Sequence, residues 1–507
     1  MSVAGSVCVW LRILTSPVRA PRSWPTSAAA TADRRVATAE VTAEGVTAAT
    51  AEDGTARRVN AIGTGAACAT AILTVHSHAV EQRHRLTTLE SGVRIATEAM
   101  PSVRSVSLGF WIGVGSRAEG EAEAGLSHLL EHLLFKGTAK YASVEIDQIF
   151  DGMGAELNAG TGKEATSVHA RVIDDHLPEA FDVMADMVFR PALTDVDSER
   201  EVILEEIAMY EDDPQEKIFD LLGEVVFGDD PLGRAIIGRA PVIAETPVPE
   251  IARFHASRYV PANVVISAAG AVDHDAFVEL ASGRMPGAGV EAPARPTALG
   301  FPQAARRRFE RKDTEQYHFC LGTLGLSRHD DRRFALRVLD TIFGGTSSSR
   351  LFQEVRERRG LAYSVYSFTS AYHDTGQVGV YLGTRGENLR QALEVVASEL
   401  DHMRQEPASP EELVRAKENL KGRVVLALES TGARMSRLGS EILAGAPLLA
   451  LDEAVERIEA VSLEDLESLA RELWDPERIS IAGIGPDREI FEDGLVPFGH
   501  ELVETAG

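Results

Sequence analysis

The run "GLSHLLEHLLFKGT", beginning at Gly125, sets His128, Glu131 and His132 among leucines. Residues at i, i+3 and i+4 share one helix face, so two imidazoles one turn apart can converge on a single point with a carboxylate beside them. Catalytic zinc needs three protein ligands and an open position for water, so a third ligand must come from another element. The stretch "SEREVILEEIAMYEDD", from Ser198, offers Glu199 and Glu206, seven residues apart and nearly on one helix face. Val202, Ile203 and Tyr210 share that side, which implies partial burial. A carboxylate on a buried face is costly unless it is paired or metal-bound. Glu201 and Glu205 point away from that line. Glu206 is the favoured third ligand, with Glu199 the alternative. The competing explanation is a pair of capped or core histidines facing an ordinary solvated acidic helix.

The elements that must position these residues can be read along the chain. Apolar alternation in "VSLGFWIGVGS" reads as a strand. The motif helix follows and is expected to stop at Gly137, a left-handed cap after Lys136. A helix "SVEIDQIFDGMG", a strand pair "AELNAGTGKEATSVHARVI" and helices "LPEAFDVMADMVF" and "VDSEREVILEEIAMYEDD" come next. A Pro/Gly/Ala-rich passage from Met285 reads as a linker. The order then repeats: "EQYHFCLGTLGLS" matches the first strand, "DRRFALRVLDTIFGGT" the motif helix, "AYSVYSFTSAYHDTGQVGVYLGT" the strand pair and "ENLRQALEVVASEL" the helix after it. Aligning "FKGT" at Phe135 with "FGGT" at Phe343 puts Leu336, Leu339 and Asp340 opposite His128, Glu131 and His132. The second copy keeps the apolar face and lacks the ligand set, so packing alone does not call for the histidines. The expected class is α+β: two similar domains, each a mostly antiparallel β-sheet packed against helices. Their expected limits are 84–284 and 306–507, joined by a linker at 285–305 and preceded by an extension at 1–83.

Composition narrows the function classes. The 507 residues carry a formal net charge of −26, which argues against general nucleic-acid binding, since phosphate contacts need clustered Lys and Arg. It suits a surface that attracts basic partners, or simply solubility. Cys8, Cys68 and Cys320 lie far apart, outside any C-x-x-C pattern, so neither a disulfide framework nor a thiolate zinc site is expected. No apolar run approaches the length of a membrane span. Residues 1–83 are rich in Ala, Thr, Ser and Val with little periodicity and read as a disordered or loosely ordered extension. Its first 32 residues hold Arg12, Arg19 and Arg22 and no acid, a faint likeness to an organelle transit peptide. A secretory signal, interrupted by Arg12, and a start further downstream are the other readings.

The H-x-x-E-H order, the "FKGT" after it and "ER-VILEE" about 70 residues later resemble the pitrilysin/insulinase family of inverted-motif zinc peptidases. Further matches are "LNAGT" at Leu157, "PLGRAIIG" at Pro231, "YVPANVVISAAG" at Tyr259 and "SSRLFQEVRERRGLAYSVYSF" at Ser348. The likeness runs from about residue 85 to 500 and is greatest to half-length members similar to the mitochondrial processing peptidase β-subunit. It implies that His128, His132 and Glu206 bind one zinc ion, Zn2+, per chain, with Glu131 as general base and Glu199 as a carboxylate behind the ligands. It further implies that Asn158 and Ala159 lie on an edge strand that pairs with substrate backbone. Arg356 and Tyr363 would be the substrate-polarising pair. Two departures stand out: Gly160 occupies a position where a bulky residue is common, and the "GGTSSS" loop at Gly344 is short, as in active-type subunits.

The function so implied is a zinc-dependent metalloendopeptidase hydrolysing unfolded or short peptides in a dimeric chamber. Its partner would be a second copy or a related subunit. The alternative is a non-catalytic partner or scaffold subunit, whose signature would be a broken ligand set. The expected location is cytoplasmic, or the mitochondrial matrix if the extension is a transit peptide.

Overall fold

Strand-forming sequence falls into two sets, and each set builds one six-stranded sheet among the described residues. The computed structural model describes residues 84–287, 291–298, 304–406, 408–499 and 503–505, all within one unit, so the expected extension at 1–83 lies outside the described residues. The first sheet holds β1 (His84–Thr88), β2 (Arg94–Ala99), β3 (Ser105–Ile112), β4 (Glu156–Thr161), β5 (Thr166–Ile173) and β6 (Val264–Gly270), in the order β1-β2-β6-β3-β5-β4. The second holds β7 (Arg306–Arg311), β8 (Tyr317–Gly325), β9 (Ser364–Ala371), β10 (Gly376–Thr384), β11 (Ser480–Gly485) and β12 (Val503–Glu504), in the order β12-β7-β11-β8-β10-β9. Shifting β2–β6 by five strands reproduces the second order, which is the duplication expected from the repeated sequence. Pairing is antiparallel except at β2–β6, β7–β11 and β7–β12.

The first half carries α1 (Leu126–Leu134), α2 (Ser143–Met153), α3 (Leu177–Phe189), α4 (Val196–Asp212), α5 (Pro214–Phe227), α6 (Ala240–Glu245), α7 (Val248–Arg258) and α8 (His274–Ser282). The second carries α9 (Arg333–Phe343), α10 (Gly386–Gln405), α11 (Pro410–Ala427), α12 (Thr431–Ala444), α13 (Leu451–Glu459), α14 (Leu463–Leu473) and α15 (Arg488–Gly494). One face of the first sheet packs with α1, α3 and α7 into a core that includes Phe110, Leu130, Phe181 and Ile266. The matching core of the second sheet includes Phe319, Phe343, Leu393 and Ile481.

The opposite faces are covered crosswise. Helix α5, from the first half, lays Ile218, Leu221, Leu222 and Val225 on Cys320, Tyr381, Ala482 and Ile484 of the second sheet. Helix α12, from the second half, lays Leu438, Ile442 and Leu443 on Ala96 and Val265 of the first. Each fully buried Leu or Ile contributes about 1.5–3 kcal/mol, so neither helix is incidental. Polar contacts fix the register of α12: Ser267 Oγ donates to the Met435 carbonyl at 2.9 Å, and Ser107 Oγ lies 2.9 Å from Thr431 Oγ1. Amphipathicity foretells that such a helix covers a sheet, but not which one.

An ion cluster around the buried Arg117 joins the halves near the tip of the β9–β10 hairpin. Arg117 is 2 % exposed; its Nη1 donates to Glu164 and to Asp374, both at 2.7 Å, and its Nη2 donates to the second Asp374 oxygen at 2.9 Å. Asp230, also buried, stands 3.9 Å from its Nε. The Asp374 carboxylate in addition accepts the backbone N–H of Ala298, so the connecting segment is pinned to the same point.

Candidate active site

Helix α1 begins at Gly125, whose φ of +102° suits a residue without Cβ. The buried Glu119 carboxylate caps the helix from upstream, accepting the N–H of Gly125 at 2.8 Å and of Ser127 at 2.7 Å. Negative charge at a helix N-terminus is favourable, and these amide bonds offset the burial that pushes the Glu119 pKa up. Gly238 lies against Gly125 so closely that a Cβ on Gly238 would fall 2.3 Å from the Gly125 Cα, and its φ is +86°. Gly238→Ala is therefore expected to destabilise the fold by at least about 2–3 kcal/mol, through clash and backbone strain together. Chemical denaturation would measure the loss.

The helix ends at Leu134, earlier than the expected stop at Gly137. The N–H groups of Phe135 and Lys136 bond back to the His132 and Leu133 carbonyls, and Gly137 then turns the chain at φ +102°. Helix α4 crosses beside α1 and presents Glu199, 5 % exposed, and the part-buried Glu206, while Ile203 is fully buried. Val202 departs from the expectation: it is 48 % exposed, because the buried line of α4 runs through Val196, Glu199 and Ile203 and leaves Val202 one position off it. Glu201 and Glu205 are exposed.

His128 Nε2 and His132 Nε2 lie 3.8 and 3.6 Å from the same Glu206 oxygen, and one ligand atom from each of the three residues falls within 4.8 Å of the others. Tetrahedral zinc, with bonds of about 2.0–2.1 Å, separates its ligand atoms by roughly 3.3 Å, so this donor set fits the ion after small adjustments. Burial, with His132 beside it, lowers the His128 pKa to about 3, keeping that imidazole neutral and free to ligate. Burial raises the Glu206 pKa, opposed by His132. Behind the trio, His132 Nδ1 faces Glu199 Oε2 at 3.3 Å, and the other Glu199 oxygen meets Lys136 Nζ at 2.8 Å.

Glu131 projects between the ligands and β4. Thr161 Oγ1 donates to its Oε2 at 2.6 Å. Burial raises its pKa, while Thr161 and His132 pull it down. β4 is an edge strand, with Asn158 exposed and Ala159 buried. Asn158 Oδ1 accepts the Ala159 N–H at 2.8 Å, so an incoming peptide carbonyl that takes this amide must first displace the carboxamide. Arg356 sits in a π-helical turn over Phe352–Glu357, its guanidinium 4.5 Å from the centre of the Tyr363 ring and 4.7 Å from that of Phe352. Tyr363 is 71 % exposed. The structure thus brings together the trio, Glu131 and Glu199. It places Arg356 and Tyr363 beside each other in the second half, with no hydrogen bond or ion pair to the trio among the described residues.

Comparison with known proteins decides the family. The sequence pattern of the insulinase (peptidase family M16) domain matches residues 94–240, and that of the peptidase M16 inactive domain matches 248–420. An uncharacterized zinc protease of Streptomyces coelicolor is 44 % identical over 414 residues, 79 % of this chain and 89 % of the relative. The chain belongs to the M16 peptidase family. A second M16 relative, the uncharacterized zinc protease YmxG of Bacillus subtilis, is 40 % identical over 79 % of this chain and 97 % of its own length. Among solved structures, a protease from Helicobacter pylori superposes with a TM-score of 0.75 at 22 % identity, covering 80 % of this chain and all of that one. A peptidase M16 inactive domain from Pseudomonas fluorescens gives 0.74 at 23 %, over 80 % of this chain and 98 % of its own. These two likenesses bear out the M16 fold, two α+β halves with a mostly antiparallel sheet in each. No helix among the described residues is long and apolar enough to cross a membrane.

Signals for several residues around the site were missed in the sequence. Thr161 lies in the matched "LNAGT" and Lys136 in "FKGT", both visible as motifs without a role. Glu119 has only its place six residues before Gly125, too far for a local capping pattern to reveal.

Proposed function

We propose that this chain is a zinc-dependent metalloendopeptidase acting on unfolded or short peptides. The convergence of His128, His132 and Glu206 on one point carries the reading. The names of its relatives, zinc proteases, support it. One zinc per chain would be held by those three side chains. When bound there, the ion polarises a peptide carbonyl and acidifies water. Glu131, held by Thr161, accepts the proton of the attacking water and passes it to the leaving amine. Its burial raises the proton affinity of the carboxylate toward what that exchange needs. Glu199 accepts the Nδ1 proton of His132 and fixes the tautomer.

The substrate backbone adds as a strand along β4 at Asn158 and Ala159, giving main-chain affinity with little demand on sequence. Gly160 leaves room beside that strand, since nothing lies within 4 Å of where its Cβ would be. Arg356 and Tyr363 stabilise the developing oxyanion, from this chain or from its partner, in a chamber formed by two chains. In this scheme residues 84–284 form the zinc-binding domain and 306–507 the inactive repeat, with 285–305 between them. A non-catalytic role would predict a broken ligand set, whereas all three donors are present.

Metal titration tests the site. Glu206→Gln should weaken zinc affinity by two orders of magnitude or more, and Glu205→Gln, exposed on the same helix, should leave it unchanged. Equal affinities for the two variants would remove Glu206 from the ligand set.

A further inference from the structure

The turn leaving α1 is laced to the segment that enters α4. The Lys136 carbonyl accepts from Thr194 Oγ1 at 3.1 Å, the Gly137 carbonyl accepts from the Ala192 N–H at 2.9 Å, and Thr138 bridges to Pro191. These bonds fix the Lys136 backbone relative to α4, and its ammonium reaches Glu199 Oε1 at 2.8 Å. The Glu199 side chain is only 6 % exposed, so its two oxygens depend on protein partners. One has Lys136; the other has His132 Nδ1.

We propose that Lys136 is a positioning residue for the metal site: by holding one Glu199 oxygen it aims the other at His132, which keeps the proton on Nδ1 and leaves Nε2 facing Glu206. The proposal rests on reading the trio as a zinc site. Without the ammonium, the Glu199 carboxylate can rotate about its last bond and lose the line to the imidazole. The repeat agrees with this assignment. In the second copy Gly344 stands at the position of Lys136, so the lysine is missing from the copy that also lacks both histidines. A cation just past the C-terminal end of a helix is favourable for the helix dipole alone, and that purely structural role makes a different prediction.

The test uses the full chain stripped of metal, with zinc alone as probe and affinity read by competition with a chromophoric chelator. Lys136→Met should weaken zinc binding about 10-fold, the usual effect of losing a group behind a ligand, and Lys136→Arg should restore most of it. Combining Lys136→Met with Glu199→Gln should be no worse than Glu199→Gln by itself, because the lysine acts through that carboxylate. Affinity for Lys136→Met within two-fold of the parent, or a loss that adds fully to that of Glu199→Gln, overturns the relay; so does a change confined to the thermal stability of the metal-free protein. If the parent and His128→Ala take up zinc equally, the metal-site reading itself falls and the relay with it.

Discussion

Glu131→Gln is expected to lower kcat/KM for an unstructured peptide by about 10³-fold or more while leaving one zinc bound per chain. The carboxylate is the only acid on α1 beside the two imidazoles, and general acid–base groups contribute about 10²–10⁴-fold. Glutamine keeps the shape and can still accept from Thr161 Oγ1, so the fold and the ligands should be untouched. What it cannot do is take a proton from water. Metal analysis alongside steady-state cleavage separates the two functions. A variant that retained more than a tenth of the activity would take the base role away from Glu131.

Arg117→Met is expected to destabilise the fold by about 3 kcal/mol, because removing the buried cation leaves the buried Asp230 uncompensated and the part-exposed Glu164 and Asp374 to repel each other. Among the described residues the guanidinium is the only side-chain cation bonded to Asp374, and its side chain is 1 % exposed. Removing it leaves the buried Asp230 and the part-exposed Glu164 and Asp374 facing a neutral group. The cluster joins the β4–β5 turn of the first half to the β9–β10 turn of the second, so the loss should appear as a shift of the whole denaturation curve. A loss below about 1 kcal/mol would mean that solvation of the part-exposed Glu164 and Asp374 already does the work of the cation.

The layout of the candidate site was legible because its spacing is local. His128 and His132 declare themselves by one helical turn, and the choice of Glu206 over Glu205 follows from which side of α4 faces inward. The duplication was legible too, since the order of strand, helix, strand pair and helix recurs with the same apolar faces. Val202 shows where periodicity falls short: a residue one position off the buried line of a helix can face either core or solvent, and neighbours decide. Glu119, Gly238 and Arg117 lie beyond sequence reasoning for another reason. Each acts on a group brought near by the fold rather than by the chain, six, 113 and 257 residues away.

The crosswise placement of α5 and α12 bears on how such a chain can evolve. A duplicated copy that has lost its chemistry is ordinarily free to decay or to be deleted. Here deletion of the ligand-less copy would strip Leu438, Ile442 and Leu443 from the sheet that supports the histidines, and would leave α5 with nothing to cover. Selection on the half that carries His128, His132 and Glu206 therefore preserves the copy without them, and the two are inherited as a single indivisible body.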